Sequence, residues 1–332
     1  MSTAEFKAYK DTLKTPNIIV DGTANEATVL TLSHWRQSGT PDPLLADTSA
    51  EIVFNYLDCP QYHVDASAVS NNHFDEDGLV GVFSLINPGF ASRHRELLIA
   101  VAHAGDFGVV RNRLAARIVF TLSAFADPEN SPLPKHIFKL RYPEMAASLY
   151  GELLERLPSL LERIDDYKPL WSDEDAFWSA SEALCDSHDV TIEEKPELDL
   201  AIVRIPEALS TSAMHRFTQS ATACCHHFAI HSRTNRSRLI WLQGNRLEFQ
   251  YRYESWVRMA TARPLLRIDL SSLAVELNRT DAANGSWKFD GVDRIVPRFF
   301  REGSASILAS TDVISRIEQH LRTGPVAWDP YN

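Results

Sequence analysis

The sequence predicts an α/β protein with a mostly parallel sheet covered by helices, followed by a second, smaller α+β domain. Short β-branched runs alternate with amphipathic segments over the first 140 residues, a pattern typical of a parallel sheet with helices on both faces. After about residue 188 the pattern changes to short strands separated by turns. A chain of 332 residues also exceeds what one hydrophobic core usually supports, which favours two domains.

The first domain is predicted to span residues 1–140 and to contain three strands and at least three helices. The strands are expected at 17–22 (NIIVDG), 29–35 (VLTLSHW) and 64–70, and the helices from near residue 48, within RHRELLIAVAHAGDFG, and over about 109–126. Thr48 and Glu51 have the spacing of a capping box, which marks the first helix start. Gly105 is the expected stop signal of the second helix.

The rest of the chain is predicted to form a helical connector, 141–188, and an α+β substrate-binding domain, 189–332. Strands are expected within VTIEEKPELDLAIVRIP, CHHFAIHSR, SRLIWLQG and RLEFQYRY. The CCHH string at 224–227 lacks the spacing of a structural zinc site, because neighbouring residues of a strand point to opposite faces. We therefore interpret it as part of a strand.

Composition and charge narrow the classes of partner. A net charge of -11 argues against a general nucleic-acid-binding surface. No apolar run approaches the roughly 20 residues needed to cross a bilayer, and the first residues lack the apolar core of a signal peptide. The four cysteines lack the spacing of a disulfide framework. These features predict a cytoplasmic protein with reduced thiols and no membrane association, with a homodimer left open.

The string HFDEDG carries the strongest chemical signal. In an extended segment His73, Asp75 and Asp77 lie at i, i+2 and i+4 and share one side of the chain. Crowded carboxylates repel each other, and a divalent cation reverses that interaction. Imidazole and carboxylate ligands suit Mn²⁺, with Mg²⁺, Fe²⁺ and Zn²⁺ as alternatives. A solvated acidic turn is the competing explanation, whereas an EF-hand is excluded because Ser84 would occupy its twelfth position.

Three further residues stand where α/β proteins often bind ligands, close to the ends of predicted elements. Asp21 ends the strand NIIV, His34 ends VLTLS, and Asp106 follows the helix LLIAVAHA. Each also has a structural explanation: a turn dipeptide for Asp21, a core pair with Trp35 for His34, and the turn after Gly105 for Asp106. Together with HFDEDG they form one coherent set of metal ligands.

HFDEDGLVGVFSL resembles the first motif of the DHH phosphoesterase superfamily, whose members hold a pair of manganese-type ions. IIVDG looks like the second motif with its bridging Asp, LSHW and the helix after it resemble the third, and LLIAVAHAGDFG resembles the fourth. The resemblance implies a DHH-like domain with circularly permuted motifs, which proteins tolerate when termini lie close together. It implies as metal ligands Asp21, His34, His73, Asp75, Asp77 and Asp106, and as catalytic residues Asp21, His34 and Asp77.

The C-terminal half is weakly similar to the second domain of these enzymes. ESWVR, LLRIDLSSLAVELN and NGSW resemble, in order, its serine-arginine strand, helix and glycine-rich loop. Arginines and aromatic residues are also concentrated there, and such residues bind phosphate and stack on bases, although a solvated strand face is an alternative explanation. The expected substrate-binding residues are Arg252, Arg258, Asn284, Gly285 and Trp287.

These patterns predict a metal-dependent phosphoester or phosphoanhydride hydrolase that acts on a nucleotide or short phosphodiester through a two-metal site. Two alternatives remain open. One is a mononuclear metal hydrolase that acts on a non-phosphate bond. The other is a non-catalytic nucleotide- or protein-binding module, which is favoured by Ser33 and Trp35 because the DHH family has Asp-His-His where this chain has Ser33-His34-Trp35.

Overall fold

The computed structural model describes residues 4–210, 223–281 and 284–332. The chain forms two compact units, one of Met1–Ala176 with Met259–Thr261 and the other of Phe177–Arg258 with Ala262–Asn332. The first helix of the segment 141–188, which the sequence analysis treats as a connector, lies within the first unit. Within the described ranges, no helix combines the length and apolar character needed to span a membrane.

The first unit contains a four-stranded parallel sheet. Its strands are β1 (Glu5–Phe6), β2 (Asn17–Val20), β3 (Thr28–Leu32) and β4 (Ala68–Ser70), in the order β1-β4-β2-β3. Strand β2 is buried along its whole length, as expected for a β-branched strand that is covered on both faces. Because Ile19 pairs with Ser70 on one side and Thr31 on the other, the carboxyl ends of β4, β2 and β3 meet at one edge.

Helices accompany this sheet, and together they confirm the expected α/β class. They are α1 (Ser49–Asp58), α2 (Glu76–Ile86), α3 (Pro88–Arg93), α4 (Arg95–Phe107), α5 (Arg113–Ala126) and α6 (Tyr142–Glu162). The predicted start of α1 is confirmed, because Thr48 and Glu51 form the complete capping box. Helix α2 begins inside HFDEDG, with Asp75 as its N-cap and Asp77 in its first turn rather than in an extended segment, and its residues from Asp77 to Ser84 are all buried.

The expected end of α4 at Gly105 is wrong. The helix continues to Phe107 and ends at Gly108, which adopts a left-handed conformation with φ of 65°. Gly105 serves a different purpose, because a Cβ on this residue would lie 2.7 Å from the Cβ of Glu76. The glycine therefore allows α4 to approach the start of α2 closely, and Asp106 lies in the last turn of α4 rather than in a turn after it.

The second unit is built on a six-stranded mixed sheet. Its strands are β5 (Thr191–Lys195), β6 (Leu200–Ile205), β7 (Arg238–Gln243), β8 (Arg246–Tyr251), β10 (Gly285–Phe289) and β11 (Arg298–Gly303). Their order is β10-β11-β8-β7-β6-β5, and among these described strands only β6 and β7 pair in parallel. A separate two-stranded sheet joins β9 (Arg267–Ile268) to β12 (Val326–Trp328). Its helices are the end of α7 (Lys168–Asp186), then α8 (His227–His231), α9 (Ser271–Thr280) and α10 (Ser310–Thr323).

The expected strand in CHHFAIHSR is wrong, because this segment contains helix α8. His226 begins the helix by accepting a hydrogen bond from the backbone N–H of Phe228 at 3.1 Å through Nδ1. Phe228, Ala229 and Ile230 are all buried, whereas a strand with one solvated face would expose every second residue. Among the described residues, the CCHH string does not form a cluster with metal-ligand geometry.

Candidate metal centre

The edge where three parallel strands end carries the polar cluster. Asp21 follows β2 directly and has a left-handed backbone with φ of 49°, a conformation that aspartate tolerates better than most residues. Its N–H donates to the carbonyl of Leu32 at 2.9 Å, so its backbone is tied to the end of β3. His34 lies two residues beyond β3, and His73 lies three residues beyond β4. The carboxyl ends of adjacent strands therefore bring these side chains together.

Asp21 is the common member of the cluster. Its Oδ1 lies 3.4 Å from His34 Nε2, and its Oδ2 lies 3.2 Å from His73 Nε2. Two sets of side chains have ligand atoms that all lie within 4.8 Å of one another: Asp21 with His73 and Asp75, and Asp21 with His34 and Asp77. Each set therefore has the dimensions to hold one cation.

Asp106 joins the second set from α4. Its Oδ2 lies 3.6 Å from His34 Nε2 and accepts no hydrogen bond, although the side chain is only 5% exposed. The six residues predicted as metal ligands thus converge on one cluster in the first unit. Metal binding by these residues stays a prediction.

A family model described as a family of unknown function (DUF6687) matches residues 2–331. The chain belongs to the DUF6687 family. Comparison with curated proteins and comparison with solved structures gave no match. Because the family match covers both units, the polar cluster and the six-stranded sheet are parts of one DUF6687 chain.

In this DUF6687 protein the ring of His34 is fixed by its second nitrogen. Nδ1 lies 2.5 Å from the carbonyl oxygen of Asp47, and because a carbonyl can only accept, Nδ1 carries the proton and donates. Nε2 therefore faces Asp21 and Asp106. This arrangement, in which one ring nitrogen is held by a carbonyl and the other faces carboxylates, is common for metal-binding histidines.

Helix α1 anchors the carboxylates of the cluster. Asp77 accepts the backbone N–H groups of Ser49 and Ala50, each at 2.7 Å, at the positive end of α1. The hydroxyl of Ser49 donates to Asp21 Oδ1 at 2.8 Å. Ser49 was not predicted from the sequence, although its position beside the capping-box residue Thr48 placed it at a helix start. Ser49 connects both carboxylates to one turn of helix.

Ser49→Ala removes the hydroxyl that donates to Asp21 and also accepts the backbone N–H of His34 at 3.3 Å, and it keeps the backbone N–H groups of α1 that Asp77 accepts. The buried carboxylate then loses one of its donors, so we expect the free energy of unfolding to fall by roughly 1–3 kcal/mol. Urea denaturation measures this change. The matched control is Ser92→Ala, whose hydroxyl bonds only to the carbonyl of Pro88 on an exposed turn. Equal stability of the two variants would show that the Ser49 hydroxyl does not support Asp21.

Burial and mutual charge set the protonation of the cluster. Burial acts to raise the pKa of Asp21, but hydrogen bonds and charges from His34 and His73 outweigh it and hold that pKa far below its usual value. Burial and the charge of Asp21 raise the pKa of Asp77 to about 7, and burial with the charges of Asp77 and Asp75 raises the pKa of Asp106 well above its usual range. Burial acts to lower the pKa of both histidines, but nearby carboxylates raise it. Without a cation, protons therefore balance the buried carboxylates.

Two buried carboxylate oxygens of the cluster lack a well-placed hydrogen-bond donor. A buried charged oxygen without a donor is costly, and natural structures contain few such atoms. Of the buried carboxylate oxygens in this cluster, Asp106 Oδ2 accepts no hydrogen bond, and Asp21 Oδ2 has the 3.2 Å contact with His73 Nε2 but no donor of good hydrogen-bond geometry. Carboxylate oxygens and imidazole nitrogens at this spacing suit a hard or borderline divalent cation.

Ser33 and Trp35 flank His34 and do not supply an imidazole. Ser33 is fully buried, and its hydroxyl accepts from the backbone N–H of Trp35 at 3.2 Å. The indole of Trp35 stacks on His73 with ring centroids 5.1 Å apart and an interplanar angle of 24°. The position that carries the second histidine in the DHH pattern therefore packs against a predicted metal ligand.

The residues predicted to bind substrate lie in the second unit, and two of them are occupied by internal contacts. The side chain of Arg252 is 1% exposed, donates to the carbonyl of Thr234 at 2.8 Å and forms an ion pair with Glu254. Trp287 is 3% exposed, belongs to the hydrophobic core and donates its indole N–H to Asp281 at 3.0 Å. Both side chains therefore stabilise the second unit.

The other three predicted substrate residues are more accessible. Asn284 and Gly285 are exposed at the start of β10, and Arg258 is half-buried. Gly285 has a φ of 152°, and a Cβ there would lie 2.5 Å from the carbonyl oxygen of Glu302, so close strand pairing explains the glycine. The second unit also contains a cleft of about 490 Å³ that Trp287 helps to line.

Proposed function

We propose that this protein is a two-metal phosphoester or phosphoanhydride hydrolase, with a permuted DHH-like first domain, that acts on a nucleotide or short phosphodiester. The observation that carries the proposal is the position of Asp21, which belongs to both sets of ligand atoms. A carboxylate shared by two such sets is the arrangement that a bridged pair of cations requires.

The two ions would be held by different partners of Asp21. His73 and Asp75 would complete one site, and the other would be completed by His34, Asp77 and Asp106. Mn²⁺ is the proposed ion, with Mg²⁺, Fe²⁺ and Zn²⁺ as alternatives. Such a pair of ions supplies Lewis acidity at phosphorus and lowers the pKa of water when it is bound.

The chain's own residues prepare this chemistry. Asp21 stays ionised at neutral pH, because both histidines hold its pKa low. The carbonyl of Asp47 orients His34, so that Nε2 is presented to the cluster. Ser49 fixes one oxygen of Asp21 and leaves Oδ2 available. Fixed ligands of this kind reduce the reorganisation needed during reaction.

Substrate contacts are proposed to come from the second unit. Arg258, Asn284 and Gly285 are the predicted residues with exposed or half-buried positions, so they are the first to test. Arg252 and Trp287 remain in the proposed set, with the internal contacts described above as their competing explanation. Backbone amides near glycine and arginine guanidinium groups both bind phosphate oxygens.

A non-catalytic binding module is the second candidate. The stacking of Trp35 on His73 favours it, because the indole stands where a hydrolase of this type would present an imidazole to phosphate. Such a module would keep the metal and bind a nucleotide without turnover.

The decisive experiment is metal titration of the full chain followed by hydrolysis assays. We expect about two Mn²⁺ ions per chain, and Mn²⁺-dependent cleavage of at least one substrate in a panel of phosphodiesters, dinucleotides and pyrophosphate. Elemental analysis and calorimetry give the stoichiometry. Absence of divalent-metal binding would refute the hydrolase proposal, and metal binding without turnover would select the non-catalytic module.

Asp75→Asn tests the assignment of one ion. We expect it to lower the Mn²⁺ stoichiometry by about one while the other ion is retained, because Asp75 belongs to only one ligand set. Asp65→Asn is the matched control, since Asp65 is an exposed aspartate outside the cluster. An unchanged stoichiometry in Asp75→Asn would show that this carboxylate holds no metal.

A further inference from the structure

Tyr150 reaches the cluster from α6, a helix that the sequence analysis assigned to a connector. Its side chain is almost fully buried, and its ring stacks on Phe6 at 4.9 Å and lies edge-on to Phe74 at 5.4 Å. Two aromatic neighbours fix the ring, so the direction of the hydroxyl follows from packing. Among the described residues that hydroxyl has no partner of good hydrogen-bond geometry, and its polar neighbour is the side chain of Asn71.

The hydroxyl of Tyr150 points to the first turn of α2. A Cβ placed on Gly78 would lie 2.7 Å from Tyr150 Oη, 2.2 Å from Asn71 Nδ2 and 3.0 Å from Asp75 Oδ1. The three polar atoms therefore converge on one point beside Gly78. Only a residue without a side chain leaves this space to them.

Asn71 presents its amide nitrogen to this point. Its Oδ1 accepts the backbone N–H of His73 at 3.0 Å, which fixes the orientation of the amide group. Nδ2 is then directed away from His73, and it makes no hydrogen bond although it is buried. Two buried donors, a phenol and an amide, thus face one carboxylate.

Asp75 needs support on one oxygen if the other is to bind a cation. Its Oδ1 accepts the backbone N–H of Gly78 at 2.8 Å, and its Oδ2 lies 2.7 Å from His73 Nε2. When Oδ2 and the imidazole turn to a shared cation, their mutual hydrogen bond is lost. The carboxylate is then held only through Oδ1, on the side where Tyr150 and Asn71 lie.

We propose that Tyr150 and Asn71 are positioning residues that hold Asp75 for metal binding, an inference that rests on the proposed two-metal function. Their donors would engage Asp75 on the side of Oδ1 and orient Oδ2 toward the cation shared with His73 and Asp21. Groups that hydrogen-bond to metal ligands in this way typically change metal affinity by roughly 10- to 100-fold. The role is specific to one of the two ions.

Tyr150→Phe tests the inference, because it removes one oxygen and keeps the packing against Phe6 and Phe74. We expect Mn²⁺ affinity at one of the two sites to fall roughly 10- to 100-fold in calorimetric titration, with the other site unchanged. Thermal stability without added metal should stay close to the wild-type value, because the hydroxyl loses only a contact with Asn71 that lacks good hydrogen-bond geometry. Turnover should recover at saturating Mn²⁺, which a direct catalytic role would not allow.

Two further variants make the test decisive. Tyr167→Phe is the matched control, because Tyr167 is a half-buried tyrosine that packs on Phe125 away from the cluster. Gly78→Ala places a methyl group where the side chains of Asn71 and Tyr150 meet, so it should displace both and lower the Mn²⁺ affinity of the same site. Wild-type Mn²⁺ affinity at both sites in Tyr150→Phe would overturn the inference and leave the proposed function intact. Absence of Mn²⁺ binding in the wild-type protein would overturn the proposed function itself.

Discussion

Replacing Asp21 by asparagine should remove both metal ions at once. Asp21 is the only residue shared by the two ligand sets found among the described residues, so its carboxylate serves both sites. Asparagine has the same shape and can still accept from Ser49, but it brings no negative charge to two cations. We expect the Mn²⁺ stoichiometry to fall from about two to near zero and metal-dependent turnover to disappear.

The comparison among three variants makes this result specific. Asp75→Asn should lose about one ion, and Asp65→Asn, at an exposed position, should keep both. Elemental analysis gives the stoichiometry, and thermal unfolding without added metal shows whether each variant is folded. If folded Asp21→Asn retained one ion, Asp21 would not bridge two sites, and a mononuclear centre would replace the two-metal proposal.

The second large effect is a loss of stability with rising pH when no divalent metal is present. Burial raises the pKa of Asp77 to about 7, while the ordinary value is 3.8, so the folded protein binds more protons there than the unfolded chain. Stability therefore falls as pH rises between about 4 and 7. Asp75 and Asp106, whose pKa values are also raised by burial, act in the same direction.

The histidines extend this effect to higher pH. Burial lowers the pKa values of His34 and His73, but nearby carboxylates raise them by more, so both pKa values are higher in the folded protein than in the unfolded chain. Protonated His34 and His73 therefore stabilise the fold, and this stabilisation is lost as pH rises through their pKa values in the folded protein. Asp21 acts in the opposite direction, because His34 and His73 lower its pKa against the effect of burial. Its contribution is fully present above pH 3.8 and is lost only in acid, so it does not offset the trend near neutrality.

Added Mn²⁺ should reverse the loss, because cations replace the protons that balance the carboxylates. At a concentration about 100 times Kd, binding contributes roughly 2.7 kcal/mol for one site, which corresponds to a rise in Tm of several degrees. The rise should be larger at pH 8 than at pH 6. Scanning calorimetry at several pH values, with and without Mn²⁺, measures both trends. A rise in Tm that is independent of pH would show that metal binding displaces no protons.

Asp77→Asn is the matched variant for the pH experiment. It removes one titrating carboxyl and keeps an oxygen that can accept from Ser49 or Ala50 at the start of α1. The pH dependence without metal should become shallower between about pH 4 and 7. An unchanged slope would place the responsible titration on other groups.

Local sequence patterns were sufficient for much of the first unit. The capping box at Thr48 and Glu51 determines where α1 begins, because its hydrogen bonds form within four residues. The β-branched run NIIV forms the predicted strand and is buried along its length. These elements depend mainly on contacts between near neighbours in the chain.

Where a sequence pattern had two structural explanations, the sequence was not sufficient to predict the secondary structure. Glycine often ends a helix, yet α4 continues through Gly105 to Phe107. The close approach of Glu76 explains why this position is a glycine. CHHFAIHSR has the composition of a strand, yet a cap by His226 and burial of consecutive apolar residues make it a helix. In both cases a contact outside the local segment or a specific cap determined the outcome.

The sequence by itself determined the chemistry available to this protein: carboxylates and imidazoles at strand ends, and a helix start next to them. Only the tertiary structure decided which of these groups meet. The parallel order β4-β2-β3 places Asp21 between His34 and His73, although about 40 residues separate the histidines. Ser49, Asn71 and Tyr150 have no motif that reveals them, because their relation to the cluster depends on the packing of α1, α2 and α6 rather than on spacing along the chain.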